Sequence, residues 1–186
     1  MKHYSDNFAH NNLPADKHQP DYIFNHTDFE FPEDLNCAEQ LLDIHIQENR
    51  GHHIAIRTFE TTWTFQNLYD KANQIANALT DDMDFVSGNR VLIRSANNPM
   101  FVACWFGILK AGGIVVATMP LLREKELSVM IESAEITHVF CDYRLKEEMD
   151  LVRSPFLKKV VHYDGSEKTN CELEDMLQHK SKTFTN

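Results

Sequence analysis

The stretch "LKAGGIVVATMPLLREKEL", Leu109 to Leu127, decides the fold. It reads as the end of a helix, a two-glycine break, a short strand and the start of a second helix. Gly112 is the expected left-handed C-cap, because glycine enters that region without a Cβ penalty. "IVVAT" (114–118) is rich in β-branched residues and reads as a strand buried on both faces. A helix is predicted over Arg123 to Glu135, with Leu127, Met130, Ile131 and Ala134 turned inward.

The pattern extends in both directions. Upstream, Asn98 is the predicted N-cap of a helix and Pro99 its first residue. The body of that helix, "MFVACWFGILKAG", is apolar almost all round, as in a helix covered on more than one side. "NRVLIRS" (89–95) before it reads as a strand. Downstream come a strand "THVFCD" (137–142), a short helix from Tyr143 to Val152, and a strand "KKVVHY" (158–163). Short apolar strands alternating with helices imply a parallel sheet with right-handed crossovers. The expected fold class is α/β: a doubly wound, mostly parallel sheet flanked by helices.

Nearer the N-terminus, Phe65, Leu68, Tyr69, Ala72, Ile75, Ala76, Leu79 and Met83 recur at helical spacing, with Thr64 as cap. "HIAIRT" (53–58) and "TTWTF" (61–65) form a small predicted β-hairpin turning at Phe59-Glu60. An earlier helix starts at the N-cap Asn36, carries Ala38, Leu41, Leu42, His45 and Ile46 inward, and is stopped by Gly51. Residues 1–32 show no periodicity and are expected as an extended or partly disordered arm, docked through Tyr22, Ile23, Phe24, Phe29 and Phe31. Residues 33–163 make the α/β unit. Residues 164–186 are a polar tail with a weak helix near Leu173 to Leu177.

Composition narrows the function. The chain has 186 residues, 42% hydrophobic and 25% charged, with a formal charge of −10. An acidic surface excludes a nucleic-acid partner, which needs basic residues against phosphate. It also disfavours anionic membranes, and the longest apolar run, Met100 to Leu109, is too short to span a bilayer. The opening residues have no apolar core of a signal peptide. The cysteines Cys37, Cys104, Cys141 and Cys171 lie far apart, without C-x-x-C. They are expected to be reduced, which points to a cytoplasmic protein.

No reactive constellation stands out. The six glycines form no G-x-G-x-x-G, and the spacing of Gly107 and Gly112 fails as a phosphate loop because Gly113 stands where lysine belongs. The ten histidines contain no H-x-x-x-H and are expected to face solvent. Asp164-Gly165-Ser166 reads as a turn. The acidic pairs Asp81-Asp82 and Glu147-Glu148 read as solvated charge. Arg94 and Arg123 remain as candidates, each at or just after the carboxyl end of a strand, where α/β sheets take anionic ligands. A surface salt bridge is the plainer reading of each.

Three segments carry a resemblance. "TWTFQNLYDKANQIANAL", then "GNRVLIRSANNPMFVACWFGILKAGGIVVATMPLLREKEL", then "ITHVFCD" resemble the N-terminal part of the AMP-forming acyl-CoA synthetase superfamily. "NNP", "ATMPLLR" and "CD" look most like members that activate 2-aminobenzoate or benzoate. The resemblance covers roughly Tyr22 to Tyr163. It implies an ATP-dependent ligase that joins a carboxylic acid to CoA through an acyl-adenylate, with ATP, Mg²⁺ and CoA used by the full-length enzyme. It implies no catalytic or metal residue in this chain, because the Ser/Thr/Gly-rich phosphate loop and the catalytic lysine of the superfamily are not found here. By itself the chain is expected to be inactive. Arg123 is the residue the resemblance places at the CoA channel. The expected partners are the remaining portion of the ligase, or a second copy through apolar surface left exposed. Two other readings stand beside this one. One is a truncated paralogue serving as an interaction or regulatory module or completing a separate chain. The other is an unrelated flavodoxin-like binder.

Overall fold

The computed structural model describes residues 4–26, 31, 35–166, 168 and 170–185. Four parallel strands form the centre in the order β4-β3-β5-β6: β3 is Arg90–Arg94, β4 Ile114–Thr118, β5 His138–Asp142 and β6 Lys159–Tyr163. The register is continuous, with Leu92 beside Val116 and Val139, and Phe140 beside Val161.

Alternation along the strands supplies two cores. Val91, Ile93, Phe140, Val161 and Tyr163 face α3 (Phe65–Asp82), α4 (Pro99–Lys110) and α7 (Glu172–Leu177). Leu92, Val139 and Cys141 face the opposite way, against Leu127 and Ile131 of α5 (Glu124–Ser133) and Met149 of α6 (Lys146–Met149). Helices on both faces make the sheet doubly wound, as its sequence pattern implies.

The caps follow the residue types. Thr64 Oγ1 accepts from the Asn67 amide (3.2 Å) and Asn67 Oδ1 accepts from the Thr64 amide (3.0 Å), closing a reciprocal cap on α3. Asn98 Oδ1 accepts from the Phe101 amide (2.8 Å), with Pro99 as the first residue of α4. Gly112 lies at φ +74°, and the Gly113 amide reaches back to the Ile108 carbonyl (2.8 Å). Gly107 lets α4 close on α3: a Cβ there would stand 2.6 Å from Ile75 Cγ2.

Several local expectations change. The strand 114–118 is not central; β4 is an edge strand, and its pattern of residues is half-exposed. α4 lies between the sheet and α3, as a helix covered on more than one side does, and only Trp105 of its apolar residues is exposed. The first helix contains a π turn, Glu39–Asp43, before α2 (Ile44–Gln47). Its extra residue per turn rotates the stripe, burying Leu42 and exposing Leu41. Asn49 at φ 57° ends that helix, two residues before Gly51. The hairpin is β1 (Ile54–Arg57) against β2 (Thr62–Thr64), antiparallel as expected.

The N-terminal arm docks elsewhere than expected. Tyr22 stacks on Phe24 and Phe24 meets Phe31 edge-on, these three and Ile23 remain exposed, and Phe29 lies outside the described residues. The anchor is Asp6, just before α1 (Phe8–Asn11). Its amide bonds Ser87 O (2.9 Å), and its carboxylate meets Asn89 Nδ2 (2.8 Å) and Arg90 Nη1 (2.5 Å). At the other end, Asn73, Gln74 and Asn77 on α3 donate side-chain N–H groups to main-chain carbonyls between Leu177 and Thr183.

Candidate functional site

β3 leads into a helix on one face of the sheet, and β5 into helices on the other. Between these neighbours the chain departs in opposite directions, which opens a crevice at the carboxyl ends of the strands. Arg94 closes β3 on one side of it. Asp142 closes β5 on the other, and the loop 119–123 after β4 forms the third wall.

Arg94 is 2% exposed, so it is no surface salt bridge. Its Nε donates to Leu145 O (3.2 Å) and one terminal nitrogen, Nη2, to Pro120 O (3.2 Å). Nη1 has no hydrogen-bond partner among the described residues. A buried guanidinium with an unspent donor is costly, and an anionic oxygen satisfies it.

The structure gathers both arginine candidates around one cavity of about 240 Å³, together with Arg144. Pro120, Leu121 and Leu122 supply apolar wall, and Glu147 and Glu148 the opposing charge. Arg123 stands at the start of α5, exposed, its amide held by the Glu126 carboxylate (3.0 Å). Glu148 is not merely solvated: its carboxylate accepts from the Glu124 amide (2.9 Å), tying α6 to the first turn of α5.

Arg144 and Asp142 were not legible as a pair. Asp142 is fully buried and accepts from the Arg144 amide (3.0 Å), Nε (2.9 Å) and Nη2 (2.5 Å). This carboxylate hydrogen bond raises the Arg144 pKa above its ordinary value. The turn 164–166 crosses directly above. A Cβ on Gly165 would stand 2.2 Å from Asp142 Oδ2 and 2.5 Å from Asn98 Nδ2. The only signals in the sequence are the D-x-R spacing at a strand end and a glycine after the next strand.

Nucleophilic chemistry finds no support around this crevice. Ser95 Oγ donates to Ala96 O (2.7 Å) and accepts from Asn98 Nδ2 (2.8 Å), with no base between them. None of the four cysteines forms a disulfide, and burial pushes the Cys141 thiol up to about 12, which leaves it inert. Among the described residues no three His, Cys, Asp or Glu side chains gather as metal ligands, and no helix is long and apolar enough to cross a membrane. The histidines do not all face solvent. His138 is completely buried, with Nε2 against Met83 O (2.7 Å) and Nδ1 against Thr137 Oγ1 (2.7 Å). His45 stacks on Phe65 with ring centres 3.7 Å apart.

Known proteins share this architecture. The family described as "AMP-binding enzyme" matches residues 43–184. A long-chain fatty acid transport protein 6 of Mus musculus is 30% identical over 118 residues, which is 63% of this chain and 19% of that protein. A long-chain-fatty-acid–CoA ligase of Bacillus subtilis (strain 168) is 34% identical over 83 residues, 45% of this chain and 15% of that protein. Among solved structures, an anthranilate CoA ligase in complex with anthranoyl-AMP superposes with a TM-score of 0.74 at 22% identity, covering 83% of this chain and 30% of that one. A benzoate CoA ligase from Burkholderia xenovorans LB400 gives 0.67 at 17% identity, covering 79% and 29%. At such identities the two structures speak for the fold alone. The chain spans less than a third of the length of these relatives. A match over most of the chain, on a parallel sheet of the same design, shows that it belongs to the AMP-binding enzyme family, the superfamily of AMP-forming acyl-CoA synthetases.

Proposed function

We propose that this chain provides the N-terminal α/β portion of an ATP-dependent acid–CoA ligase, and that the arginine-lined cavity borders the path of CoA. The observation that carries this reading is the buried Arg94 guanidinium with Nη1 unspent beside Arg123 and Arg144. Three guanidiniums around an apolar wall suit the phosphates and the thin chain of CoA. The segments "NNP", "ATMPLLR" and "CD", which resemble those of members that activate 2-aminobenzoate or benzoate, favour an aromatic acid as the partner substrate.

The residues present do not fit ATP and Mg²⁺. No glycine-rich loop exists to cradle phosphates, and the described residues hold no carboxylate cluster for the ion. No adenylation step is derived from them. The role of this chain's side chains is to bind and orient an anion with Arg94, Arg123 and Arg144, while Asp142 and Glu148 fix the loops that carry them.

The test is a titration with CoA and with dephospho-CoA, followed by NMR signals of Arg94, Arg123 and Arg144. CoA is expected to shift all three, dephospho-CoA less, and Arg123→Ala to weaken binding several-fold. Absence of any shift at millimolar CoA overturns the assignment. In parallel, pyrophosphate release from ATP with aromatic acids is expected to stay at background for this chain by itself.

A further inference from the structure

The segment between α3 and β3 covers the amino-terminal end of the sheet. Met83 and Phe85 in it are buried, and the Phe85 ring meets the His138 ring edge-on with centres 5.6 Å apart. The same segment is the seat of the N-terminal arm. Ser87 O takes the Asp6 amide, Asn89 Nδ2 and Arg90 Nη1 hold the Asp6 carboxylate, and the Gly88 amide is fixed by Gly112 O (2.8 Å). Asp84 at φ 49° and Gly88 at φ 89° turn it at either end, and the left-handed region suits aspartate far less than glycine.

His138 lies under this cover with both ring nitrogens spent. Met83 O can only accept, so Nε2 carries the proton, and Nδ1 accepts from the Thr137 hydroxyl. A proton added at Nδ1 meets that hydroxyl hydrogen head-on. The hydroxyl must then turn to Arg90 O, 3.4 Å away, which is a long bond. The charges around the ring do not compensate. Lys158, just before β6, opposes an imidazolium, and Asp84 favours it. Arg90 on β3 is engaged by Asp6 and lies 4.0 Å from Glu135, and Lys159, the strand neighbour on β6, is engaged by Glu172. The closed structure therefore keeps His138 neutral, and its cation is served only where water reaches it.

We propose that His138 is the proton sensor of a local opening, in which the segment 83–88 leaves the end of the sheet and takes the seat of the arm with it. The coupling runs along the backbone: Met83 O is the partner of His138, and Ser87 and Gly88, which carry the arm, follow within the same segment. Acid thus frees the arm while the sheet stays folded. Opened to water, the imidazole regains its ordinary value of 6.5, so the opening constant rises about tenfold between about pH 7.5 and about pH 5.5. Asp6 does not titrate in this window. Against the opposing effect of burial, hydrogen bonds from the Phe8 amide and Arg90 hold its carboxyl below the ordinary value. His10, on the docked α1, is the ionisable group of the seated arm to control for. The switch goes beyond the proposed ligase role and stands whether or not the chain binds CoA.

Amide hydrogen exchange at about pH 7.5 and about pH 5.5, corrected for its intrinsic pH dependence, is the first measurement. The opening constants read at Asp6 and Gly88 are expected to rise together about tenfold. Leu92 and Phe140, in the two inner strands, are expected to exchange far more slowly at both values. In His138→Gln the rise is expected to vanish, and in His10→Gln to persist. A reciprocal test leaves His138 in place. Asp6→Ala frees the arm from the other side and is expected to bring the His138 titration, followed by the NMR signals of its ring, up toward 6.5. Loss of the Asp6 charge by itself pushes that titration the other way. Protection of Asp6 and Gly88 that ignores pH overturns the proposal, as does exchange in step with Leu92 and Phe140. So does a rise that survives His138→Gln or disappears in His10→Gln, or a His138 titration that Asp6→Ala fails to raise.

Discussion

The carbonyl oxygen of Asp6 stands 2.1 Å from the point that a Cβ on Gly88 would occupy, and Gly88 itself lies at φ +89°. The arm is therefore seated on a residue that only glycine can supply, next to Arg90. The Arg90 guanidinium spends its donors on Asp6, Gly88 O (3.0 Å), Ala134 O (2.7 Å) and Glu135 O (2.8 Å). Gly88→Ala is expected to cost about 1–3 kcal/mol from backbone strain and to lift the arm off its seat. Urea unfolding reads the first effect. Limited proteolysis before residue 35 reads the second, and an arm that stays protected in the variant contradicts the seat.

Gly107 makes a similar demand inside the core. A Cβ there meets Ile75 Cγ2 at 2.6 Å and Ala72 O at 3.0 Å. Gly107→Ala should destabilise by about 1–3 kcal/mol through overpacking. Ile75→Ala opens a cavity by itself, yet the double variant should lose less than the sum of the two. A double-mutant cycle measures that coupling, and strict additivity would argue against the contact.

Lys110 is buried on α4 and holds Asp43 at 2.5 and 2.6 Å, with the Tyr69 ring 4.7 Å from its nitrogen. Removing only the carboxylate, as in Asp43→Ala, leaves an ammonium in the core and should cost about 3–5 kcal/mol. Replacing both partners, Lys110→Met with Asp43→Leu, should recover most of that loss. Denaturation midpoints of the native chain and the two variants decide it.

His138 gives the fold a pH dependence of known sign. Burial lowers its pKa from 6.5, against the opposing hydrogen bond to Met83 O, with Lys158 and Asp84 as the neighbouring charges. The folded state thus binds fewer protons than the unfolded state below pH 6.5. Its stabilising contribution is complete above that value and is lost as pH falls toward the depressed folded pKa. Unfolding midpoints between about pH 7.5 and about pH 5.5 should fall more steeply for the native chain than for His138→Gln. Equal slopes would remove His138 from the account.

Local periodicity carried the strands, helices and caps, because each rests on residues a few places apart. What it could not carry was position in the sheet. "IVVAT" is composed like a central strand, and only the strand order makes it an edge. Asn49 rather than Gly51 ends the first helix because a π turn shifts the register, and asparagine also tolerates a positive φ. Arg94 and Arg123 were recognisable at the strand ends, but their meeting with Arg144 depends on the crossover from β4 to β5. Asp142 and Gly165 were hidden because their contact joins loops after different strands. His138 carries no flag of burial in its own neighbourhood, since its partner Met83 lies 55 residues away.

The three amides on α3 that grip the C-terminal segment address only main-chain oxygens: Asn73 meets Lys182, Gln74 meets Leu177 and Lys180, and Asn77 meets Ser181 and Thr183. Every residue type offers such an oxygen. The grip therefore reads the path of the segment and is blind to its spelling. The side chains at 181 and 183 bond each other rather than α3 and are able to change together, whereas α3 must keep its carboxamides. Variability on one side of this contact and constancy on the other is the trace it should leave among descendants of the chain.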